Sequence, residues 1–304
     1  MNKNYKVIWF DDEHESLSNI IENAHLNDIQ LIGFSNASDG ITDLKINYHK
    51  YDAVLVDGKF YRKPGLSGDA IDNLAFTDVM KELGNLKSIK ILPCFLLSGQ
   101  TSFTRDKNEL IEVFEINRTY DKLNNDDIAA LWENIKIEAD KQIDTQTRHD
   151  HPEIFSIFHL GYLGAEVELQ VLELIKVALP TNRVDTKALL SNIRSIQESC
   201  LLKLEEISVI PNAQAPINIV LKHLSGNKSA ASNWQLTSKE YQNDAIENLH
   251  KWIYFTCGKY IHNLKDEDYN DYKISNYAVE SLRTGLLELL LWFKKTYEEN
   301  KEHL

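Results

Sequence analysis

Four short apolar runs in the first part of the chain each lead into polar residues, and this pattern constrains the fold more than any other feature. The first two runs end on acids, at Asp11, Asp12 and Asp57. The third ends on the hydroxyl of Ser98, and the fourth leads within a few residues to Lys122. Amphipathic segments separate the runs, which predicts parallel strands alternating with helices. Because ligands bind outside the carboxyl ends of the strands in such a sheet, we expect these polar side chains to converge there.

The alternation over residues 1–125 predicts an α/β fold built on a doubly wound, five-stranded parallel sheet. The flavodoxin-like strand order 2-1-3-4-5 fits this pattern. Strands one, three and four are apolar throughout, as strands covered by helices on both faces are. Strands are expected near 5–10, 30–34, 52–56, 91–97 and 114–117. Helices are expected near 15–26, 37–49, 67–84, 103–111 and 125–142.

The length and a polar stretch in the middle of the chain predict two domains. At 304 residues the chain is long for one domain of ~100–200 residues. Residues 141–152 are polar and lack an apolar period, so they are the predicted linker between a domain at 1–140 and a domain at 153–304. Beyond this linker, apolar residues recur at three- and four-residue spacing, which predicts an all-α helical bundle. Its helices are expected at 160–179, 185–207, 237–262 and 272–302, the third with capping-box spacing between Thr237 and Glu240.

Charge and composition argue against several classes of protein. The net charge of −13 disfavours nucleic-acid binding, because phosphate contacts need clustered Lys and Arg. The longest apolar stretch, 286–293, is shorter than the ~20 residues of a membrane span, and the first residues do not resemble a secretory signal. The cysteines are far apart and lie in apolar surroundings, as the buried thiols of cytosolic proteins do. We therefore expect a cytoplasmic protein with no membrane contact and buried thiols at Cys94, Cys200 and Cys257.

The ordered set of strand-end residues resembles the receiver (CheY-like) domain of two-component response regulators over roughly residues 4–140. The resemblance implies that Asp57 accepts a phosphoryl group from a histidine kinase or phosphotransfer protein. Mg²⁺ is the implied cofactor, because this hard cation binds through carboxylates and phosphoryl oxygens. The implied metal ligands are Asp11, Asp12, Asp57 and the backbone carbonyl of Lys59, and the implied phosphoryl-binding and switch residues are Ser98 and Lys122.

The sequence departs from the receiver pattern at three points. Residues 59–63 are inserted ahead of the proline-glycine turn that follows Asp57. Leu123 occupies the position at which most receivers have a proline. The switch aromatic of receivers usually stands three residues before the lysine, where this chain has Thr119, so Tyr120 is the candidate switch aromatic. These departures concern the loops and the signalling geometry rather than the acidic residues.

The helical half contains one candidate site residue, His262. Its surroundings resemble those of a phosphotransfer histidine and those of an HEPN-type ribonuclease, and a purely structural role is the third interpretation. HEPN enzymes need an arginine shortly before the histidine, and residues 255–258 contain none. We therefore interpret this half as an output domain that acts through a protein partner or a homodimer. The alternatives are a receiver-gated, HEPN-like ribonuclease or nucleotide-acting enzyme, and a receiver-like interaction module that is never phosphorylated.

Overall fold

The chain folds into two compact units, unit 1 at residues 1–150 and unit 2 at residues 151–304. The computed structural model describes residues 3–66, 73–99, 118–226, 234, 239–262 and 274–301. Each unit has its own core. Apolar side chains of unit 1 form two clusters, one on each face of a sheet, and those of unit 2 form one cluster among helices.

Unit 1 is built on a five-stranded, all-parallel sheet with the strand order β2-β1-β3-β4-β5. The strands are β1 (Tyr5–Phe10), β2 (Ile29–Phe34), β3 (Ala53–Val56), β4 (Cys94–Ser98) and β5 (Arg118–Asp121). β3 is buried throughout because both of its neighbours, β1 and β4, and helices on both faces cover it. The predicted α/β class and strand order are therefore confirmed.

The helices of unit 1 cover both faces of this sheet, as the doubly wound prediction requires. The described helices of unit 1 are α1 (Ser18–Leu26), α2 (Ala37–Asn47), α3 (Asn73–Leu86), α4 (Asn125–Ala139) and α5 (Ile143–Asp150), of which α5 contributes no side chain to the two apolar clusters. Alternate residues of each strand point to opposite faces. On one face Ile8 and Val54 pack with side chains of α2 and α3, and on the other Trp9 and Leu55 pack with side chains of α1 and α4.

Most predicted elements of unit 1 lie within a few residues of the observed ones. The strand predicted at 91–97 begins later, at Cys94, and the described part of the helix predicted at 67–84 is α3. The strand predicted at 114–117 and the helix predicted at 103–111 lie outside the described residues, as does the start of the 67–84 helix. The described strand nearest to 114–117 is β5, which begins at Arg118.

The predicted linker, 141–152, differs most from the structure, because most of it is helical. Helix α5 occupies 143–150, and the boundary between the units follows Asp150. Unit 1 therefore extends beyond the domain predicted at 1–140. The apolar period that predicts a packed helix is absent here because α5 is held by polar side chains, as its buried Thr145 and Arg148 show.

Unit 2 is an all-helical bundle in its described residues, as predicted. Its helices are α6 (Pro152–His159), α7 (Ala165–Lys176), α8 (Arg183–Glu206), α9 (Ile217–Leu224), α10 (Asp244–His262) and α11 (Asn276–Asn300). Their apolar faces form one core that includes Leu190, Ile253 and Leu286. Among the described helices, none combines the length and the apolar character that a membrane crossing requires.

The sequence predicts that unit 2 contains these helices more accurately than it predicts the residues at which they begin and end. The segment 160–179 contains only α7, and a separate helix, α6, precedes it. The helix predicted at 237–262 begins at Asp244, where the side chain of Asn243 accepts a hydrogen bond from the amide of Ile246. Residues 239–243 are not helical, so Glu240 does not serve in a capping box, and Thr237 lies outside the described residues.

Candidate functional site

Three carboxylates meet at the carboxyl edge of the sheet in unit 1. Phe10 and Val56 are paired across β1 and β3, so Asp11 and Asp57 follow neighbouring strands at the same level. The amide of Asp57 donates to the carbonyl of Phe10 over 2.8 Å, which extends this pairing beyond the strand. One carboxylate oxygen from each of Asp11, Asp12 and Asp57 lies within 4.8 Å of the other two. The structure thus brings together the acids that the sequence predicts to meet.

Backbone amides hold two of these carboxylates in place. Oδ1 of Asp11 accepts a hydrogen bond from the amide of Glu13 over 2.9 Å, in the turn that leads to α1. Oδ1 of Asp57 accepts one from the amide of Gly58 over 2.6 Å. Asp11 is fully buried, whereas Asp12 and Asp57 are partly exposed. The site therefore has a fixed floor and an open side that a ligand can reach.

Lys122 supplies a cation to this group of acids. Its Nζ lies 2.6 Å from Oδ2 of Asp11 and 2.8 Å from Oδ2 of Asp57. The amide of Lys122 donates to the carbonyl of Ser98 over 3.2 Å, which continues the pairing of β4 with β5 and directs the lysine back over the sheet edge. Ser98 is buried at the end of β4, so the predicted hydroxyl and ammonium groups both lie at this edge.

The ionisation of the site reflects burial as well as charge. Burial raises the pKa of Asp11 to about 6, because it outweighs the attraction of Lys122, and the charge of Asp57 adds repulsion. Burial also raises the pKa of Asp12. Burial alone would lower the pKa of Lys122, but the charges of Asp57 and Asp11 more than compensate and raise it. One ammonium group thus faces three carboxylates, two of which are costly to ionise.

The donor set fits a hard divalent cation. All three side chains offer carboxylate oxygens, which Mg²⁺ prefers over nitrogen or sulfur ligands. Asp11 and Asp12 have raised pKa values, so a second positive charge there would favour their ionised forms. The carbonyl of Lys59 as a further ligand stays a prediction.

The residues after Asp57 are anchored rather than loosely attached. Phe60 is fully buried beside Phe10, with ring centroids 5.9 Å apart. The carbonyl of Tyr61 accepts a hydrogen bond from the amide of Ala37 at the start of α2 over 2.9 Å. The inserted segment 59–63 therefore packs onto α2, which the sequence did not indicate. The signal available was the aromatic pair at 60 and 61 within an otherwise basic insertion.

Tyr120, the candidate switch aromatic, lies within the core of unit 1. Its ring is 4% exposed and packs near Phe95, with ring centroids 6.3 Å apart. Its role as a switch stays a prediction. The three cysteines are buried free thiols, as predicted.

In unit 2, an arginine lies beside the helix that ends at His262. The guanidinium of Arg194, on α8, stacks on the ring of Tyr254 at 3.8 Å and is paired with Glu198 over 2.8 Å. A Cβ at Gly258 would lie 2.8 Å from Nη1 of Arg194, so the end of the arginine side chain lies close to this glycine. This arginine belongs to α8, so no local motif around His262 could reveal its position beside α10.

Comparisons with known proteins concern mainly the first half of the chain. No protein-family model and no curated protein matches. Among solved structures, a response regulator receiver domain from Clostridium thermocellum is 20% identical, with a TM-score of 0.35, over 45% of this chain and 95% of that one. A Francisella response regulator receiver domain is 21% identical, with a TM-score of 0.34, over 45% and 98%. A CheY-like receiver domain from Methanospirillum hungatei is 14% identical, with a TM-score of 0.32, over 45% and 95%. The N-terminal part of this chain is therefore similar to response regulator receiver domains.

Proposed function

We propose that this protein is a response regulator that accepts a phosphoryl group on Asp57 from a histidine kinase or phosphotransfer protein. The observation that carries the proposal is the set of Asp11, Asp12 and Asp57 oxygens within 4.8 Å of one another, with Lys122 in contact with two of these acids. An Asp57 oxygen attacks the phosphorus of a phosphohistidine, so an O–P bond forms while the P–N bond breaks. The imidazole leaves with the bonding electrons and takes up a proton.

The residues around Asp57 have separate tasks in this reaction. Asp11, Asp12 and Asp57, with the carbonyl of Lys59, would hold Mg²⁺, which when bound offsets the negative charge of the carboxylates and of the phosphoryl group. Lys122 already contacts Asp57 over 2.8 Å and pairs with a phosphoryl oxygen there. The Ser98 hydroxyl donates to another phosphoryl oxygen. This bond draws the Ser98 hydroxyl toward the phosphoryl group, and Tyr120, as the switch aromatic, changes position in response.

We assign the output to protein contacts of unit 2. This unit is helical in its described residues and belongs to a chain with a net charge of −13, which suits a protein partner or a second copy better than nucleic acid. The proposed setting is a cytoplasmic phosphorelay, with unit 1 as the phosphorylated part.

The test is incubation of the purified chain with a small phosphodonor and Mg²⁺, followed by intact-mass spectrometry. The wild type should gain one base-labile phosphoryl group, Asp57→Asn none, and the control Asp126→Asn, at an exposed position on α4, the same amount as the wild type. Labelling that persists in Asp57→Asn would place the acceptor elsewhere. An unlabelled wild type would favour the interaction module that is never phosphorylated.

One observation favours a second candidate function, a ribonuclease in unit 2. Arg194 lies against Gly258, one helical turn before the position of His262 on α10. If RNA cleavage is measured, this candidate requires Arg194→Ala and His262→Ala to abolish it while Lys203→Ala, at an exposed ion pair on α8, leaves it unchanged. Absence of cleavage by the wild type removes the candidate.

A further inference from the structure

Helix α5 is held on the rest of unit 1 by polar side chains and by one aromatic contact, in which the ring centroids of His149 and Tyr5 lie 4.8 Å apart. Its buried side chains are Thr145, Thr147 and Arg148. Its one apolar residue, Ile143, is 66% exposed. Most helices in proteins owe their stability to the packing of an apolar face, and a helix this short is marginal in isolation. Polar contacts therefore supply most of what holds α5 in place.

The central contact is an ion pair at the edge of the sheet opposite the acidic site. Asp52, which directly precedes β3, is 2% exposed, and Arg148 is 6% exposed. The guanidinium of Arg148 contacts Oδ1 of Asp52 and also donates to the backbone carbonyl of His49. Thr145 donates its hydroxyl to Oδ1 of Asp52 over 2.7 Å, and the amide of Lys6 donates to Oδ2 over 2.8 Å. Every oxygen of the Asp52 carboxylate is thus bonded.

A second cation completes this network. Lys90 is 6% exposed, and its Nζ lies 3.1 Å from the carbonyl of His49 and 3.4 Å from Oδ2 of Asp144 on α5. Burial alone would raise the pKa of Asp52, but Arg148 and Lys90 outweigh this effect and lower it. Two cations and two carboxylates therefore balance one another, and α5 contributes one of each. Removal of either charge of the Asp52–Arg148 pair leaves the other buried without its partner.

In its docked position α5 is helical and pairs with Asp52, directly before β3, and with Lys90, in the segment before β4. Away from these partners it would have neither an apolar face nor enough length to stay helical. A segment with few buried apolar contacts is the kind that opens locally while the rest of a domain stays folded.

We propose that α5 is a latch, which the Asp52–Arg148 ion pair holds on unit 1 and whose release lengthens the connection between the two units. In the docked state α5 ends at Asp150 and α6 begins at Pro152, so His151 alone separates the two helices. Once released, residues 141–151 form a polar tether that spans up to roughly 35 Å when extended. The connection then changes from a short joint to a flexible segment. The latch does not depend on the phosphoryl chemistry at Asp57.

Hydrogen–deuterium exchange of the full chain tests this latch. The first variant is Arg148→Met, which keeps a long side chain without the charge. The matched control is Lys141→Met, whose lysine pairs with Glu138 over 2.7 Å on the exposed surface. In Arg148→Met the amides of α5 should exchange at the rate of an unstructured peptide, while those of β3 and β4 stay as protected as in the wild type. Lys141→Met should match the wild type throughout.

Two results would overturn the proposal. One is unchanged protection of α5 in Arg148→Met. The other is loss of protection in β3 and β4 together with α5, because the helix would then belong to the cooperative core. If Arg148→Met does not fold, the double variant Asp52→Asn/Arg148→Met removes both buried charges and is judged by the same criteria. Proteinase K should cut the released variant within residues 141–151 faster than it cuts the wild type, as an extended tether requires.

Discussion

Replacement of Asp11 by asparagine should stabilise the protein in the absence of divalent metal, even though it removes an ion pair. Asp11 is fully buried, and its Oδ2 lies 2.6 Å from Nζ of Lys122. The pKa of this carboxyl is nevertheless raised to about 6 from its ordinary 3.8, because the cost of burying the charge exceeds the gain from the lysine. An asparagine has the same shape and carries no charge.

The size of the effect follows from the pKa. A carboxyl with a pKa of about 6 in the folded state and 3.8 in the unfolded state lowers the free energy of unfolding by about 3 kcal/mol when it is ionised in both. This cost is absent when the pH is below the pKa that Asp11 has in the unfolded chain, and it is complete once the pH has risen above the pKa that Asp11 has in the folded protein. Asp11→Asn should therefore exceed the wild type by up to about 3 kcal/mol near pH 7.5, and the difference should vanish near pH 4.

The measurement is urea denaturation of both proteins with a chelator at several pH values. Glu22→Gln, at an exposed position on α1, is the control and should follow the wild type at each pH. Added Mg²⁺ should stabilise the wild type more than Asp11→Asn, because the variant lacks one proposed ligand. A variant less stable than the wild type in chelator near pH 7.5 would refute the reasoning, since the pair with Lys122 would then outweigh burial.

Three further predictions concern packing and ionisation. In Gly33→Ala the new Cβ would lie 2.0 Å from Cδ2 of His14, so urea denaturation should show a free energy of unfolding lower by about 1–3 kcal/mol. A second substitution, His14→Ala, should largely restore it, and a loss that persists in the double variant would contradict the contact. Trp132→Phe removes the indole donor that bonds Oδ1 of Asn23 over 2.7 Å and should cost about 1–3 kcal/mol in the same assay, and an unchanged midpoint would show that water replaces it. Burial lowers the pKa of His250 to about 3, so its imidazole signals in NMR should not titrate above about pH 5, and a titration near pH 6.5 would refute this. The contribution of the neutral ring to the free energy of unfolding is complete above its ordinary pKa of 6.5 and is lost as the pH falls toward 3.

The sequence predicted the sheet and its acidic edge because both depend on local patterns. Strands β1, β3 and β4 are apolar except for Lys6 and Ser98, and parallel strands of one sheet place their carboxyl ends at a common edge. Because of that rule, the positions of Asp11, Asp57 and Lys122 after their strands were enough to predict that these side chains lie close together. The helices of unit 2 were predicted by their apolar period, although their ends were not, because capping residues such as Asn243 act through a single side chain.

Only the tertiary structure decided the features that depend on partners far apart in sequence. The polar stretch 141–152 has the composition of a linker. Most of it is helical because Arg148 and Thr145 bind the carboxylate of Asp52, which lies almost a hundred residues away in the sequence. Arg194 on α8 lies beside Gly258 on α10 for the same reason, because the packing of these two helices brings the residues together. The sequence alone therefore determined the parallel sheet, most of the amphipathic helices and the acidic residues at the sheet edge, through periodicity and the position of residues after strands. The fold determined which charges are buried and paired, because burial and pairing depend on distances that only the packed chain creates.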